Sequence, residues 1–369
     1  MEIHPPSSTF YPRRLLVRGV NWLGDAVMTT PALMRLRERF PEAHIALLTP
    51  EKLRGLWLNH PAVNEVFTFG EGESVFAVGK KLRDGKFDTA LVLPNSPRSG
   101  IEVYLAGIPK RVGYARPWRN FFLTDKVAPR SNAVKMRKRS EAEIKNLISQ
   151  TSDANPRTPS SAHQSHEYLH LAAALGANAE PLPALLTVTP QEVDAAKTKF
   201  GLQNVGTVFG LNAGAEYGPA KRWPADRFIA AAKEIQIKTN CAWMLFGGKG
   251  DLEITNPIES ALQGTKVFNM AGKTSLRELM ALMKLCSVVL TNDTGPMHMA
   301  VALGMPVVAI FGSTSPELTG PISEKARIVK SDAPCSPCFL RECPIDFRCM
   351  NGIHVEKVVE EVLTANGHQ

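Results

Sequence analysis

Three short stretches of this 369-residue chain hold most of the side chains suited to group-transfer chemistry. The first, Asn292-Asp293-Thr294-Gly295-Pro296-Met297-His298, follows an apolar run from Ser287 to Thr291 and supplies cap and first-turn residues for a helix. Free amides and the positive dipole end at such a helix start suit a nucleotide diphosphate. His298, one turn in, would share a face with Thr294 and Gly295; packing as an ordinary helical histidine is the plainer role. The second stretch leaves a strand at Gly206 to Leu211 and runs through Asn212, Gly214, Ala215, Glu216 and Gly218 to Lys221-Arg222-Trp223-Pro224. A cation aimed at a leaving phosphate stabilises charge that grows in the transition state, whereas a solvated surface pair would do nothing. In the third, the strand Leu15 to Val17 leads into Asn21, Trp22, Gly24 and the carboxylate of Asp25. Two roles fit Asp25: a base for an incoming hydroxyl, or a helix-start acid interacting with the dipole.

Each stretch is the loop after a strand, where open α/β sheets place their ligands. Strand and helix patterns alternate in the first half: a helix from about Thr29 to Arg39, strands at Ile45 to Leu48 and Val63 to Phe69, a basic helix near Val75 to Asp84, and a strand at Thr89 to Leu93. A second series starts near Gly206, with strands at 207–211, 241–246, 266–268 and 287–291 and helices at 225–237, 252–262 and 275–284. A second strand in the last unit, Pro306 to Phe311, ends in Gly312-Ser313-Thr314. Two such series predict two Rossmann-like domains facing across a cleft rather than one sheet. Between them, Pro129 to His166 turns polar and basic and reads as a linker or a mobile loop, and Ala179 to Pro190 has the proline spacing of a connection. An amphipathic helix, Val355 to Leu363, closes the chain.

Composition narrows the partners. The formal charge of +8 favours an acidic ligand or surface. No apolar stretch approaches the roughly 18 to 20 residues of a membrane span, and Met1 to Tyr11 lacks a signal-peptide core, which predicts a cytoplasmic protein. The dinucleotide fingerprint, the Walker A loop and the G-x-S-x-G elbow are all missing, so transfer from a nucleotide-activated donor fits better than dehydrogenase, kinase or hydrolase chemistry. Aromatic residues are only 7% and the best motifs are phosphate loops, which argues against nucleic acid. Cys335, Cys338, Cys343 and Cys349 are spaced for a tetrahedral zinc or iron site, or are four reduced thiols in a proline-bearing loop.

The same residues carry a family resemblance. Asn21-Trp22-Leu23-Gly24-Asp25, Pro94-Asn95-Ser96-Pro97-Arg98, Gly214 to Pro224, and Asn292 to His298, in this order, resemble the ADP-heptose:lipopolysaccharide heptosyltransferases of glycosyltransferase family 9. Pro94-Asn95-Ser96 and Gly218 to Pro224 favour the member that adds the second inner-core heptose; the first or third transferase, or one for a related sugar, is the alternative. The resemblance implies a GT-B α/β fold, with an acceptor domain over 1–185, an ADP-sugar domain over 186–352 and a terminal helix over 353–369. It implies inverting transfer from ADP-heptose to the lipopolysaccharide inner core with no cofactor required, so that any metal at the cysteines is structural. Asp25 then matches the general base, and Lys221 the phosphate-contacting lysine. Asn212, Gly214, Ala215, Arg222, Asp293, Thr294, Gly295 and His298 complete the donor side. Asn21, Trp22, Asn95, Arg98, Arg111, Arg116 and Arg119 are the acceptor-side candidates. Such an enzyme would sit in the cytoplasm, peripheral to an anionic inner membrane surface.

Overall fold

The computed structural model describes residues 11–131, 133–149 and 160–367. They group into two units, one from the residues up to Ala133 with His163–Thr187, the other from Val134–Ala162 with Val188 onward.

The first unit is built on strands β1 (Arg14–Arg18), β2 (His44–Pro50), β3 (Glu65–Phe69), β4 (Thr89–Val92), β5 (Lys110–Tyr114) and β6 (Asp125–Val127). All pair in parallel, in the order β3-β2-β1-β4-β5-β6. Leu15, Leu16 and Val17, like Ile45 to Leu48, are buried on consecutive positions, because helices cover both faces of the sheet. The second unit repeats the plan with β7 (Val208–Asn212), β8 (Ala242–Leu245), β9 (Val267–Asn269), β10 (Val288–Asn292), β11 (Val307–Phe311) and β12 (Ala326–Lys330), ordered β12-β11-β10-β7-β8-β9. The α/β architecture with two parallel sheets is therefore the expected one, and in each sheet the loops that follow the strands leave from a single edge.

Three local features depart from the sequence reading or extend it. A six-residue helix, Leu23–Met28, precedes Thr30–Arg39, so Asp25 lies in a first helical turn. The chain bends at Thr29, just ahead of Pro31, whose ring is tolerated only at the start of the next helix. The basic segment after Pro129 is not all loop: Glu141–Ser149 is helical. Its start is fixed by reciprocal bonds between Ser140 and Glu143, the Glu143 amide donating to Ser140 Oγ at 3.2 Å and the Ser140 amide to Glu143 Oε2 at 2.6 Å. The closing helix, Val355–Ala365, packs Val358, Val359 and Val362 into the core beneath β10, β11 and β12 and so belongs to the second unit.

Candidate active site

In the second unit the edge where β7, β10 and β11 end gathers the donor-side candidates. β10 lies between β7 and β11, with Thr291 opposite Asn212 and Asn292 opposite Ile310. Asp293, the first residue past β10, is buried, and its Oδ2 accepts from Lys221 Nζ at 2.6 Å and from Thr314 Oγ1 at 2.5 Å. Three strand ends thus converge on one carboxylate oxygen. Asn292 braces the lysine loop, donating to Ala213 O at 2.7 Å and accepting from the Trp223 amide at 3.0 Å. Asn212 turns its amide to Gly214 O and Thr291 Oγ1, both at 3.3 Å, and Ala215 is buried beside it.

Lys221 and Arg222 diverge. Arg222 reaches Glu253 at 3.5 Å and Ala215 O at 3.5 Å, while Lys221 turns to Asp293. Their turn has one conformational demand: Gly218 sits at φ 150, and a Cβ there would lie 2.5 Å from Arg341 O. That carbonyl also accepts from the Ala220 amide at 3.0 Å, so the turn is seated on residue 341. Thr294 is extended and makes no side-chain cap on the helix Gly295–Ala302, whose His298 is buried. The helix start therefore presents its amides beside the Lys221–Asp293 pair.

One group at this edge escaped the sequence reading. Gly247-Gly248-Lys249-Gly250-Asp251 follows β8, and the Asp251 carboxylate accepts from the Gly248 amide at 2.9 Å. It lies so close over Gly214 that a Cβ there would be 2.2 Å from Asp251 Oδ1. The signal was present as a second glycine-rich turn after a strand, closed by an acid.

In the first unit, Asp25 Oδ1 accepts from the Tyr168 hydroxyl at 3.2 Å, and Gln164 Nε2 donates to that same phenol at 3.3 Å. Burial, then the Asp25 charge, push the phenol well above its ordinary value, so it stays protonated and donates. Tyr168→Phe should lower turnover roughly tenfold, the worth of one hydrogen bond to a charged group, with ADP affinity unchanged by calorimetry. Undiminished turnover would remove Tyr168 from the site.

Arg18, the last residue of β1, is buried with Glu102. Its Nε donates to Glu102 Oε2 at 2.9 Å and its Nη1 to Asn21 Oδ1 at 2.8 Å, which fixes the start of the Asp25 loop. Arg98 Nε donates to the other Glu102 oxygen at 2.8 Å. Because Glu102→Ala strands a buried guanidinium, it should cost about 3–5 kcal/mol of stability. Urea unfolding with an unmoved midpoint would contradict that assignment.

The acceptor-side arginines do not stay together. Arg119 is buried, donating to Val92 O at 3.1 Å and Asn95 Oδ1 at 3.3 Å, and burial lowers its pKa to about 10. Arg111 lies near the start of β5, at the edge opposite the Asp25 loop, and donates to Phe122 O at 2.7 Å. Arg98, Arg116, Asn21, Trp22 and Asn95 all fall at or beside the edge where β1, β4 and β5 end. Trp22 is half-exposed, with Lys52 Nζ 5.5 Å from its ring.

Of the two readings of Cys335, Cys338, Cys343 and Cys349, the zinc or iron site is not supported. Among the described residues no group of three or more His, Cys, Asp or Glu could hold a metal ion, and all four cysteines are free. Ile144, with Ile148, Leu340 and Ile345 against it, packs on Cys335 and Cys338 as an apolar cluster. Burial raises both thiols and pushes Cys349 up to about 12, which keeps them neutral.

The profile of "Glycosyltransferase family 9 (heptosyltransferase)" matches residues 75–347. The chain belongs to glycosyltransferase family 9. Lipopolysaccharide heptosyltransferase 2 of Escherichia coli (strain K12) is 32% identical over 332 residues, covering 86% of this chain and 88% of that protein. Lipooligosaccharide heptosyltransferase 2 of Haemophilus influenzae is 31% identical over 331 residues, with the same two coverages. The solved structure of E. coli ADP-heptose lps heptosyltransferase II matches with a TM-score of 0.78 at 30% identity, covering 96% of this chain and 98% of that one. This family 9 chain is accordingly a glycosyltransferase, and its two-sheet framework is the family's.

Proposed function

We propose that this family 9 enzyme transfers heptose from ADP-L-glycero-D-manno-heptose to the first heptose of the lipopolysaccharide inner core, inverting the anomeric carbon without a divalent metal. The convergence of Lys221 and Thr314 on Asp293 beside an uncapped helix start carries the donor half of this reading. ADP is already a good leaving group and needs charge stabilisation more than an acid. Lys221 and the Gly295 helix amides supply it at a place where a magnesium ion would otherwise serve. Asp293 holds the ammonium ready, so little reorganisation is needed when the pyrophosphate arrives.

On the acceptor side Asp25 takes the proton of the attacking hydroxyl. A carboxylate is a weak base toward an alcohol, but the proton need move only as the bond to an oxocarbenium-like carbon forms. Tyr168 holds one carboxylate oxygen in place for that step. Arg98 and Arg116 would meet phosphates on the acceptor, and Trp22 a sugar face. The enzyme would work in the cytoplasm, peripheral to the inner membrane; no helix among the described residues is long and apolar enough to cross one. Incubation with ADP-heptose and core oligosaccharides carrying no, one or two heptoses tests the reading. Transfer to the one-heptose acceptor is expected, and transfer only to another acceptor would reassign the enzyme within the family.

A further inference from the structure

We propose that the edge of the first sheet bearing Asp25 also carries a membrane-docking surface, with Trp118 and Phe76 as aromatic anchors for an anionic phospholipid layer. The inference rests on the reading that the acceptor is lipid-anchored. The sheet's strands are parallel, so the loops after β1, β3, β4 and β5 emerge at one edge. Phe76 lies in the first turn of the helix Val75–Arg83 that follows β3, and Trp118 in the loop that follows β5. The Arg98 guanidinium donates to Glu73 O, so the helix starts after β3 and β4 lie side by side at this edge.

Trp118 is 89% exposed and Phe76 72% exposed. Trp118 is not exposed through looseness. It has φ 63, a region bulky side chains rarely occupy. Its neighbour Arg119 is buried and bonded to Val92 O and Asn95, and the Arg116 amide is held by Asn120 Oδ1 at 2.8 Å. With the residues on either side pinned, the indole is held outward. A rigid, uncovered tryptophan is costly in water but suits the headgroup level of a bilayer, where an amphipathic ring is favoured. The loops at this edge carry Lys52, Arg98 and Arg116 together with Glu51, Glu71 and Glu73, and it is Arg116, two residues before Trp118, that sets a cation beside the exposed indole to complement an anionic leaflet.

The test is flotation of the full chain with phosphatidylglycerol/phosphatidylethanolamine vesicles and with phosphatidylcholine vesicles, comparing wild type with Trp118→Ser/Phe76→Ser. Wild type should float with the anionic vesicles, less so as salt rises, and hardly with phosphatidylcholine. The double variant should lose on the order of tenfold or more in partitioning, as expected for two aromatic rings withdrawn from an apolar phase. Its transfer to an acyl-free oligosaccharide acceptor should be unchanged. Quenching by brominated lipid, lost in Trp118→Phe, would assign contact to that indole. Equal flotation of variant and wild type overturns the proposal. So does an equal loss of acyl-free transfer, which would make these rings a glycan platform, or a change of elution volume on gel filtration, which would make them a contact between copies. Flotation needs neither donor nor acceptor, so absence of heptose transfer would refute the enzymatic reading while leaving this surface to be judged separately.

Discussion

Asp25→Ala is expected to lower turnover on ADP-heptose by on the order of a hundredfold or more while leaving ADP affinity as it was, because proton removal by a positioned base contributes about that much. Asp25→Asn should behave the same way: it preserves the size of the side chain and its place in the first turn of Leu23–Met28, yet removes the basic oxygen. Asp25→Asn should cost little stability, since its amide oxygen can still accept from Tyr168 and an acid at a helix start contributes about 0.3–1 kcal/mol, whereas Asp25→Ala also strands the buried Tyr168 hydroxyl at about 1–3 kcal/mol. Steady-state kinetics and calorimetry with ADP decide the matter. Full turnover in the asparagine variant would leave Asp25 as a dipole acid only, and a parallel loss of ADP affinity would mean that the substitution disturbs more than the proton transfer.

Lys221→Ala should weaken ADP binding by roughly ten- to a hundredfold and slow the reaction as well, as removal of a charge-assisted contact to phosphate predicts. It also leaves the buried Asp293 carboxylate with Thr314 but without its ammonium. A stability loss of about 1–3 kcal/mol should follow from that unpaired charge. Adding Asp293→Asn to the alanine variant removes the stranded charge and should restore much of the stability without restoring ADP affinity. That divergence separates a ligand contact from a structural ion pair. Unchanged donor affinity in Lys221→Ala would rule out the phosphate contact.

Strands such as Leu15 to Val17 and Pro306 to Phe311 were legible because uninterrupted apolar runs are what a sheet covered on both faces requires. The three strand-end motifs followed from them. Leu23–Met28 was not legible, since six residues give a helical period too little to repeat. The helix Glu141–Ser149 did announce itself through the Ser140-to-Glu143 spacing, but the surrounding lysines and arginines masked its single buried apolar residue, Ile144. Tyr168 lies 143 residues from the carboxylate it holds, a distance over which no local pattern reports. Arg119 misled for another reason. A cation near a ligand edge reads as exposed, whereas here Gly113 vacates the space: a Cβ there would sit 2.5 Å from Arg119 Nη2. The cysteine spacing was compatible with metal or with thiols, and three-dimensional packing around Ile144 decided between them.

The loop at 335–341 has reach beyond its own thiols. Cys338 and Phe339 amides donate to Ser313 O at 3.1 and 2.8 Å, Ser336 Oγ to Gly312 O at 2.6 Å, and the Tyr217 hydroxyl to Phe339 O at 2.8 Å. Together with the Arg341 carbonyl under Gly218, it splints the lysine turn to the exit of β11. A chain cut after β12 would retain Asp25, Lys221, Asp293 and Thr314 yet lose this splint, so the seating of the lysine turn depends on a loop that lies beyond all four residues.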